Sequence, residues 1–128
     1  MGKKILSIVE TAYRATLEEQ DDPVLWLAHS LRTHGLEVNL LLTGEAVNYV
    51  VRGQIAAGLA FGERTQTQPP RIDLDLTRLK GAGASINVVD EDLSALGIDR
   101  EELIHGITLV RRAAIADLLH AHERVWYW

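Results

Sequence analysis

The sequence predicts an α/β fold, a three-layer α/β/α sandwich built on a five-stranded parallel sheet. Two observations lead to this prediction. Short apolar runs rich in β-branched residues alternate with segments of helical periodicity, and turn or capping residues separate them. Alternating strands and helices form right-handed βαβ crossovers, which make the strands parallel and cover both faces of the sheet. The length of 128 residues fits one domain, residues 1–128.

The first two predicted strands flank a helix whose two ends are marked by residues typical of helix termini. Residues 5–9 (ILSIV) form a short apolar run typical of a buried parallel strand, and residues 36–43 (LEVNLLLT) form a second one. Between them, Asp22 supplies an N-cap and Pro23 suits the first helical turn. Gly35 ends the helix, because glycine readily adopts the left-handed conformation that follows a last turn.

The middle of the chain carries weaker signals. Residues 44–52 fit a short helix, although their β-branched content opposes it. Residues 53–70 contain apolar glycine-rich and polar proline-ended stretches, and we expect a long loop of the kind that is often functional. Helical spacing then returns at residues 72–79 and stops at a glycine-rich segment.

The second half completes the alternation. Residues 84–89 and 107–110 are predicted as the third and fourth strands, with a short helix beginning at Asp90. The spacing of leucine and isoleucine predicts a last helix over residues 115–123. The aromatic ending, residues 125–128, is predicted as the fifth strand.

Composition narrows the possible functions. The chain has no cysteine, so it has no disulfide, no thiolate metal ligand and no thiol nucleophile of its own. Its net charge of −5 disfavours nucleic acid and anionic membranes as partners. No apolar run is long enough for a membrane span or a signal peptide, and we expect a cytoplasmic protein.

Known chemical motifs do not account for a function. His120 and His122 stand two residues apart on a predicted helix, so they point to different faces and are interpreted as a solvated helix end rather than a zinc site. The glycines at 81 and 83 precede a strand, whereas a dinucleotide loop follows one. We therefore expect no metal and no cofactor, and no motif indicates an enzyme.

Three consecutive carboxylates, Asp90, Glu91 and Asp92, stand where the third strand leads into a helix. The structural interpretation is that their oxygens cap the N–H groups of that helix. The functional interpretation is that they border a ligand crevice, because open α/β sheets bind ligands at the carboxyl ends of their strands. The pattern does not match a calcium-binding loop.

The loop after the first strand is the best candidate for recognition. Arg14 can bind an anion through two hydrogen bonds, with Thr11 and Tyr13 beside it. The alternative is a polar loop in which Arg14 pairs with the nearby Glu18 and Glu19. The candidate ligand-binding residues are Thr11, Tyr13, Arg14, Asn48, Gln68, Asp90 and Glu91.

Aromatic residues suggest a subunit interface. Trp126 and Trp128 are interpreted either as core and sheet-edge packing or as part of a contact between subunits, where aromatic residues are enriched. Phe61 lies in the long predicted loop, which can extend to a neighbouring subunit.

Three passages, "LLTGEAV", "GASINVVDEDLSALGI" and "LLHAHERVWYW", together with the order of elements, make the whole chain resemble the DsrE/DsrF-like proteins. That family includes subunits of bacterial sulfur-oxidation and tRNA-thiolation relays. The resemblance implies a flavodoxin-resembling five-stranded parallel sheet in one DsrE/F-like domain. It also implies assembly into trimers or hexamers, and a persulfide carried on a cysteine at the end of a strand.

This sequence departs from the family at that cysteine. Registering a pattern like Cys-x-Asn-Ser-Leu-x-x-x-Gly-Ile on Leu93, Gly97 and Ile98 places the cysteine position at Val89, which has no nucleophile. The first hypothesis is therefore a non-catalytic member, a structural or binding subunit of a homo-oligomer or of a complex with a sulfur-relay partner. The second is a protein that binds a small anionic metabolite, or a cysteine-independent enzyme, using the crevice at the carboxyl ends of the strands.

Overall fold

A five-stranded parallel sheet forms the centre of the computed structural model, which describes residues 4–12, 22–54, 60–65 and 71–128. The strands in chain order are β1 (Lys4–Val9), β2 (Glu37–Leu42), β3 (Ala60–Phe61), β4 (Arg64–Thr65), β5 (Ile86–Val89), β6 (Thr108–Val110) and β7 (Arg124–Tyr127). The main sheet has the order β6-β5-β2-β1-β7, and every pairing in it is parallel. The predicted α/β class is confirmed.

The helices connect these strands. The α-helices of the described chain are α1 (Pro23–Thr33), α2 (Ile72–Gly81), α3 (Asp90–Ala95) and α4 (Ile115–His120). 3-10 helices cover Gly44–Val50, Arg100–Glu102 and Arg112–Ala114. Within the described ranges, every helix is too short or too polar to cross a membrane.

The larger core lies on one face of the sheet, beneath α1, α2 and the 3-10 helix Gly44–Val50. Alternate residues of β1 and β2 point into it, because side chains along a strand point to opposite faces in turn. Val9, Leu40 and Leu42 are buried there against Leu25 and Leu76 of the helices. Each such side chain contributes about 1.5–3 kcal/mol on burial, so this face supplies most of the stability.

The opposite face has a much smaller core. Leu6, Leu41 and Val89 are buried in it, covered by the half-buried side chains of α4, which are Ile115, Leu118 and Leu119. None of the six residues of α4 is itself buried. Among the residues that the structure describes, this face is therefore covered by one short helix, whereas the first face carries several elements.

The N-cap predicted at Asp22 is confirmed and has a further partner. Its Oδ1 accepts hydrogen bonds from the N–H groups of Val24 at 2.9 Å and Leu25 at 3.2 Å. Its Oδ2 accepts a hydrogen bond of 2.5 Å from the phenol of Tyr49, on the 3-10 helix. Asp22 is only 1% exposed, so this carboxylate joins the start of α1 to the 3-10 helix inside the protein.

His122 is not the solvated helix-end residue that the sequence predicted. Its Nδ1 lies 2.8 Å from the carbonyl oxygen of Leu118, and its Nε2 lies 3.0 Å from Nδ2 of Asn39 on β2. The amide oxygen of Asn39 accepts from Ser85 N and Arg32 Nη2, so its nitrogen must face the histidine. His122 thus fastens the end of α4 to the sheet, while His120 is exposed as predicted.

The predicted long loop at residues 53–70 contains secondary structure. Strands β3 and β4 pair antiparallel as a short hairpin, with Phe61 opposite Arg64. The sequence does not predict this hairpin, because each strand has only two residues, too few for a visible alternation. The predicted helix at residues 44–52 is present in the tighter 3-10 form.

Candidate functional site

The carboxyl ends of the main strands meet at one edge of the sheet, which we call the carboxyl edge. It comprises the residues that follow β1, β2, β5 and β6, with the 3-10 helix Gly44–Val50 rising from it. Thr43 donates its N–H to the carbonyl oxygen of Val9 at 3.0 Å, which holds the first two strand ends together. Parallel α/β sheets bind ligands at such an edge.

Asp92 joins three segments at the carboxyl edge. Its Oδ2 accepts the N–H of Gly44 at 2.8 Å, and its Oδ1 lies 2.5 Å from Nη2 of Arg112. The Asp92 side chain is 14% exposed, whereas that of Arg112 is 59% exposed. This carboxylate therefore fixes the start of the 3-10 helix and the segment after β6 relative to α3.

Glu91 and Asp90 are also engaged by neighbouring segments. Both carboxylate oxygens of Glu91 accept the backbone N–H of Arg112, at 3.0 and 2.9 Å. Asp90 Oδ1 accepts from Nε of Arg100 at 3.0 Å and from its Nη2 at 2.5 Å. Arg100 also donates to the carbonyl oxygen of Asp90 and to Ser94 Oγ, so it links the first residue of α3 to a residue near its end.

The expectation that these acids cap their own helix is wrong. Val89 occupies the N-cap position, and no side chain there accepts an N–H of α3. The carboxylates instead bind segments that come from other parts of the sequence. Helical periodicity identifies a helix start but contains no information about which loops lie next to it, so only the fold reveals these partners.

The backbone conformation and the close packing at position 44 require a glycine. Its φ of +54° lies in the left-handed region, which residues with a side chain adopt at a cost. A Cβ atom there would also lie 3.2 Å from Cγ of Glu10, at the end of β1. The strand ends β1 and β2 therefore approach closely, and Asp92 receives the Gly44 N–H without obstruction.

Val89 lies beneath the carboxyl edge and does not open onto it. Its side chain is 0% exposed and packs in the smaller core with Leu6 and Leu41, under α4. Its φ and ψ of −71° and 115° turn the chain from β5 into α3. The residue at the position where the resemblance places a cysteine is therefore enclosed by apolar side chains.

The other candidate ligand residues lie around the same edge or outside the described residues. Thr11 is exposed, and its N–H donates to the carbonyl oxygen of Trp128 at 3.4 Å. Asn48 is half-buried and donates from Nδ2 to the carbonyl oxygen of Glu45 at 2.8 Å. Tyr13, Arg14 and Gln68 lie outside the described residues.

Two of the interface candidates, Trp126 and Trp128, lie in or directly after β7, an outer strand of the main sheet. Trp126 and Trp128 are half-buried and pack against the larger core, and Trp128 Nε1 donates to Ser7 Oγ at 2.8 Å. Part of each tryptophan side chain therefore packs against the core, as the core-packing interpretation predicts, and the rest is exposed. Phe61 lies in β3, and its side chain is outside the described part of the structure.

Two of the residues that organise the carboxyl edge were not identified from the sequence as site residues, namely Arg100 and Arg112. The signal for Arg112 was available, because two consecutive arginines follow the fourth predicted strand at the same edge as the acids. Arg100 gave no comparable signal, since it follows α3 in a polar stretch. In the described ranges, no group of three histidine or acidic side chains is arranged to hold a metal ion.

Two grooves lie beside the outer strands of the main sheet. One, of about 470 Å³, is lined by Leu27 of α1 and by residues 125–128. Another, of about 340 Å³, lies beside β6 and includes Arg52, His105 and Leu109. The second groove is also lined by Arg100, which binds Asp90 at the carboxyl edge.

No protein-family model and no curated protein matches this sequence. Solved structures match along its full length. The ychN protein from E. coli has a TM-score of 0.73 at 21% identity and covers 100% of both chains. The fold is shared. BT1422 from Bacteroides thetaiotaomicron has a TM-score of 0.66 at 16% identity over 98% of this chain and 95% of its own.

MTH1491 from Methanobacterium thermoautotrophicum is a further match, with a TM-score of 0.63 at 14% identity over 97% of this chain and 98% of its own. It and BT1422 are both described as proteins of unknown function. At these identities the likeness shows a common α/β fold. Activity has to be argued from the residues of this chain.

Replacement of Asp92 with alanine is expected to lower the free energy of unfolding by about 1–3 kcal/mol, because the Gly44 N–H loses a largely buried acceptor. Urea denaturation followed by circular dichroism measures this. In the matched variant Asp92→Asn, one oxygen still accepts from Gly44 and only the exposed pair with Arg112 is lost, at about 1 kcal/mol or less. Equal losses in the two variants would show that the ion pair, not the Gly44 bond, matters.

Proposed function

We propose that this chain is a non-catalytic DsrE/DsrF-like protein that serves as a structural or binding subunit of a homo-oligomer linked to sulfur trafficking. The observation that carries the proposal is the environment of Val89. The position at which the resemblance expects a sulfur-carrying cysteine holds a hydrocarbon side chain that is fully buried under α4. A sulfur relay needs a thiol that its partner can reach.

The surroundings of Val89 support the same conclusion. Three carboxylates follow it directly, and Asp90, Glu91 and Asp92 are all held in place by arginine groups or backbone N–H groups. Negative charge next to a thiol opposes thiolate formation, as does an apolar enclosure. This end of β5 is built to stabilise a junction between segments.

The exposed apolar side chains support a role in assembly. Trp26, Val125 and Tyr127 are all exposed, although each has a large apolar surface. Aromatic residues at such positions are characteristic of protein interfaces. Within the described ranges, α4 gives the second sheet face only a thin cover, which is a further reason to expect that another chain contributes to burial.

A second function, binding of a small anionic metabolite, is favoured by one observation. Arg112 stands at the carboxyl edge with 59% of its side chain exposed, and Arg14 follows β1 in the sequence, the strand whose carboxyl end lies at the same edge. Two guanidinium groups at one edge would suit a carboxylate or phosphate ligand. A cysteine-independent enzyme would use the same residues for substrate binding.

Native mass spectrometry of protein purified gently from its own host tests both functions. We expect a homotrimer or homohexamer without added mass. A monomer at micromolar concentration would contradict the structural role. A reproducible small-molecule adduct would favour the second function, and its loss in Arg14→Ala, with retention in the matched variant Arg64→Ala, would locate the ligand at the carboxyl edge.

A further inference from the structure

The outer edge of β7 has the features of an interface between two copies of this chain. Among the described residues, β7 pairs with β1 alone and forms one border of the sheet. Val125 is 45% exposed and Tyr127 is 66% exposed. An apolar strand at a sheet border readily pairs with another strand, and natural proteins usually cover or charge such borders.

The hydrogen bonds to β1 determine which backbone groups of β7 point outward. Trp128 donates its N–H to Ile8 and accepts the N–H of Glu10, so both of its backbone groups face β1. Alternate residues of a strand face the same neighbour. Trp126 and Arg124 therefore face β1 as well, and the N–H and C=O groups of Val125 and Tyr127 point away from the sheet.

A two-fold antiparallel pairing of β7 with its copy satisfies these groups. In this pairing Val125 of each chain lies opposite Tyr127 of the other. The N–H and C=O groups of these residues, which point away from the sheet in one copy, then form hydrogen bonds with those of the second copy. Trp126 then faces the same residue of the second copy. Arg124 lies opposite Trp128, an arrangement that allows a cation–π contact.

The side chains of β7 complement those of a second β7 strand, which favours another copy of this chain as the partner. In this register a β-branched side chain meets an aromatic one at both symmetric positions, a pairing that stabilises antiparallel strands. No like charges lie opposite each other, because the one charged residue of β7, Arg124, meets a tryptophan. The groove of about 470 Å³ between Leu27 and residues 125–128 runs along the same strand and provides space for the partner's side chains.

We infer that the β7 edges of two copies pair antiparallel about a two-fold axis and form a continuous sheet across the interface. The inference rests on the homo-oligomer of the proposed function and specifies one of its contacts. A two-fold contact joins an even number of copies, so it selects the hexamer over the isolated trimer.

Single-cysteine variants test the register cleanly, because the natural chain contains no cysteine. Val125→Cys and Tyr127→Cys chains are mixed in equal amounts, refolded together and mildly oxidised. We expect the mixed disulfide to form at least about tenfold faster than either variant forms its own disulfide, because the pairing raises the effective concentration of the two different thiols. Mass spectrometry distinguishes the mixed dimer from the two homodimers. Equal rates for all three dimers would overturn the inference.

A backbone variant tests the contribution of the strand edge. Val125→Pro removes an outward N–H and leaves the bonds to β1 intact, a position at which an edge strand tolerates proline. We expect it to lower the assembly mass while circular dichroism stays unchanged, whereas the matched variant Val125→Thr keeps the wild-type mass. An unchanged mass in a folded Val125→Pro protein would overturn the inference.

Failure of the inference and failure of the proposed function give different results. If the wild-type chain is a homo-oligomer but the mixed disulfide has no advantage, the β7 interface is wrong and the oligomeric role stands. If the wild-type chain is a monomer at all concentrations, both are wrong. In that case the edge of β7 is open to an extended peptide of another protein.

Discussion

Replacement of Asp22 with alanine is expected to lower the free energy of unfolding by about 2–4 kcal/mol, from the loss of an N-cap and of a buried acceptor. The side chain caps α1 through Val24 and Leu25 and accepts the phenol of Tyr49 at 2.5 Å. Because Asp22 is almost completely buried, water cannot replace these bonds without local opening. Urea denaturation followed by circular dichroism measures the loss.

Two further variants separate the contributions of the cap and the phenol. Asp22→Asn keeps an oxygen for the N–H groups of α1, and asparagine is a good N-cap, so we expect it to retain most of the cap energy. Tyr49→Phe removes the hydroxyl donor, with an expected loss of about 1–3 kcal/mol. A loss below about 0.5 kcal/mol in Asp22→Ala, the size of an ordinary surface substitution, would contradict the structural role given to this pair.

This pair also affects the candidate site. Asp22 and Tyr49 join the start of α1 to the 3-10 helix that begins at Gly44, and Gly44 is in turn held by Asp92. We therefore expect the Asp22→Ala and Asp92→Ala losses to be less than additive in the double variant, because both loosen the same 3-10 helix.

Introduction of a thiol by Val89→Cys is expected to give a folded protein. Its thiol should react at least about 100-fold more slowly with a neutral disulfide reagent than the thiol of Leu74→Cys, because reaction at position 89 requires local opening. Val89 is 0% exposed under α4, whereas Leu74 on α2 is 41% exposed. Stability should change by less than about 1.5 kcal/mol, since cysteine is a small apolar residue of similar volume. Stopped-flow absorbance measures both rates.

The pH dependence of that reaction tests the electrostatic part of the argument. The apolar enclosure and the carboxylates of Asp90 and Asp92 both disfavour the thiolate, so the thiol pKa is expected at or above the ordinary value of about 8.5. Reactivity should therefore increase as the pH rises above neutrality. A fast reaction with a pKa well below 8.5 would show that this position still supports sulfur chemistry and would contradict the non-catalytic proposal.

Adding Leu118→Ala to Val89→Cys provides a control for the role of α4. Leu118 packs against the smaller core that contains Val89. Its truncation removes part of the cover, and we expect a faster reaction at position 89 with little change for Leu74→Cys. If Leu118→Ala leaves the rate unchanged, the protection of Val89 comes from elements other than α4.

The sequence predicted the elements that local periodicity and capping residues define. The β1–α1–β2 unit has the expected strand pattern, and Asp22 caps α1 as expected. Strand ends differ by one or two residues, as with the third strand, predicted from residue 84 and observed from Ile86. These features were predictable because they depend on residues close together in the chain.

Contacts between distant segments were less accessible. The hairpin of β3 and β4 is too short to have a period, and the partners of the acids lie in segments up to 48 residues away, as for Gly44 and Asp92. His122 was interpreted as a solvated residue because its bond to Asn39 spans 83 residues. The location of the acids at the carboxyl edge was predicted, but their chemistry as junction groups was not.

The sequence by itself determined the α/β class, the absence of any thiol and the parallel strands, because composition and periodicity are local properties. The tertiary structure alone decided the strand order, the burial of Val89 beneath α4 and the placement of β7 at the border of the sheet. These depend on which segments pack together, and packing is decided by the sum of many weak contacts between residues far apart in the chain.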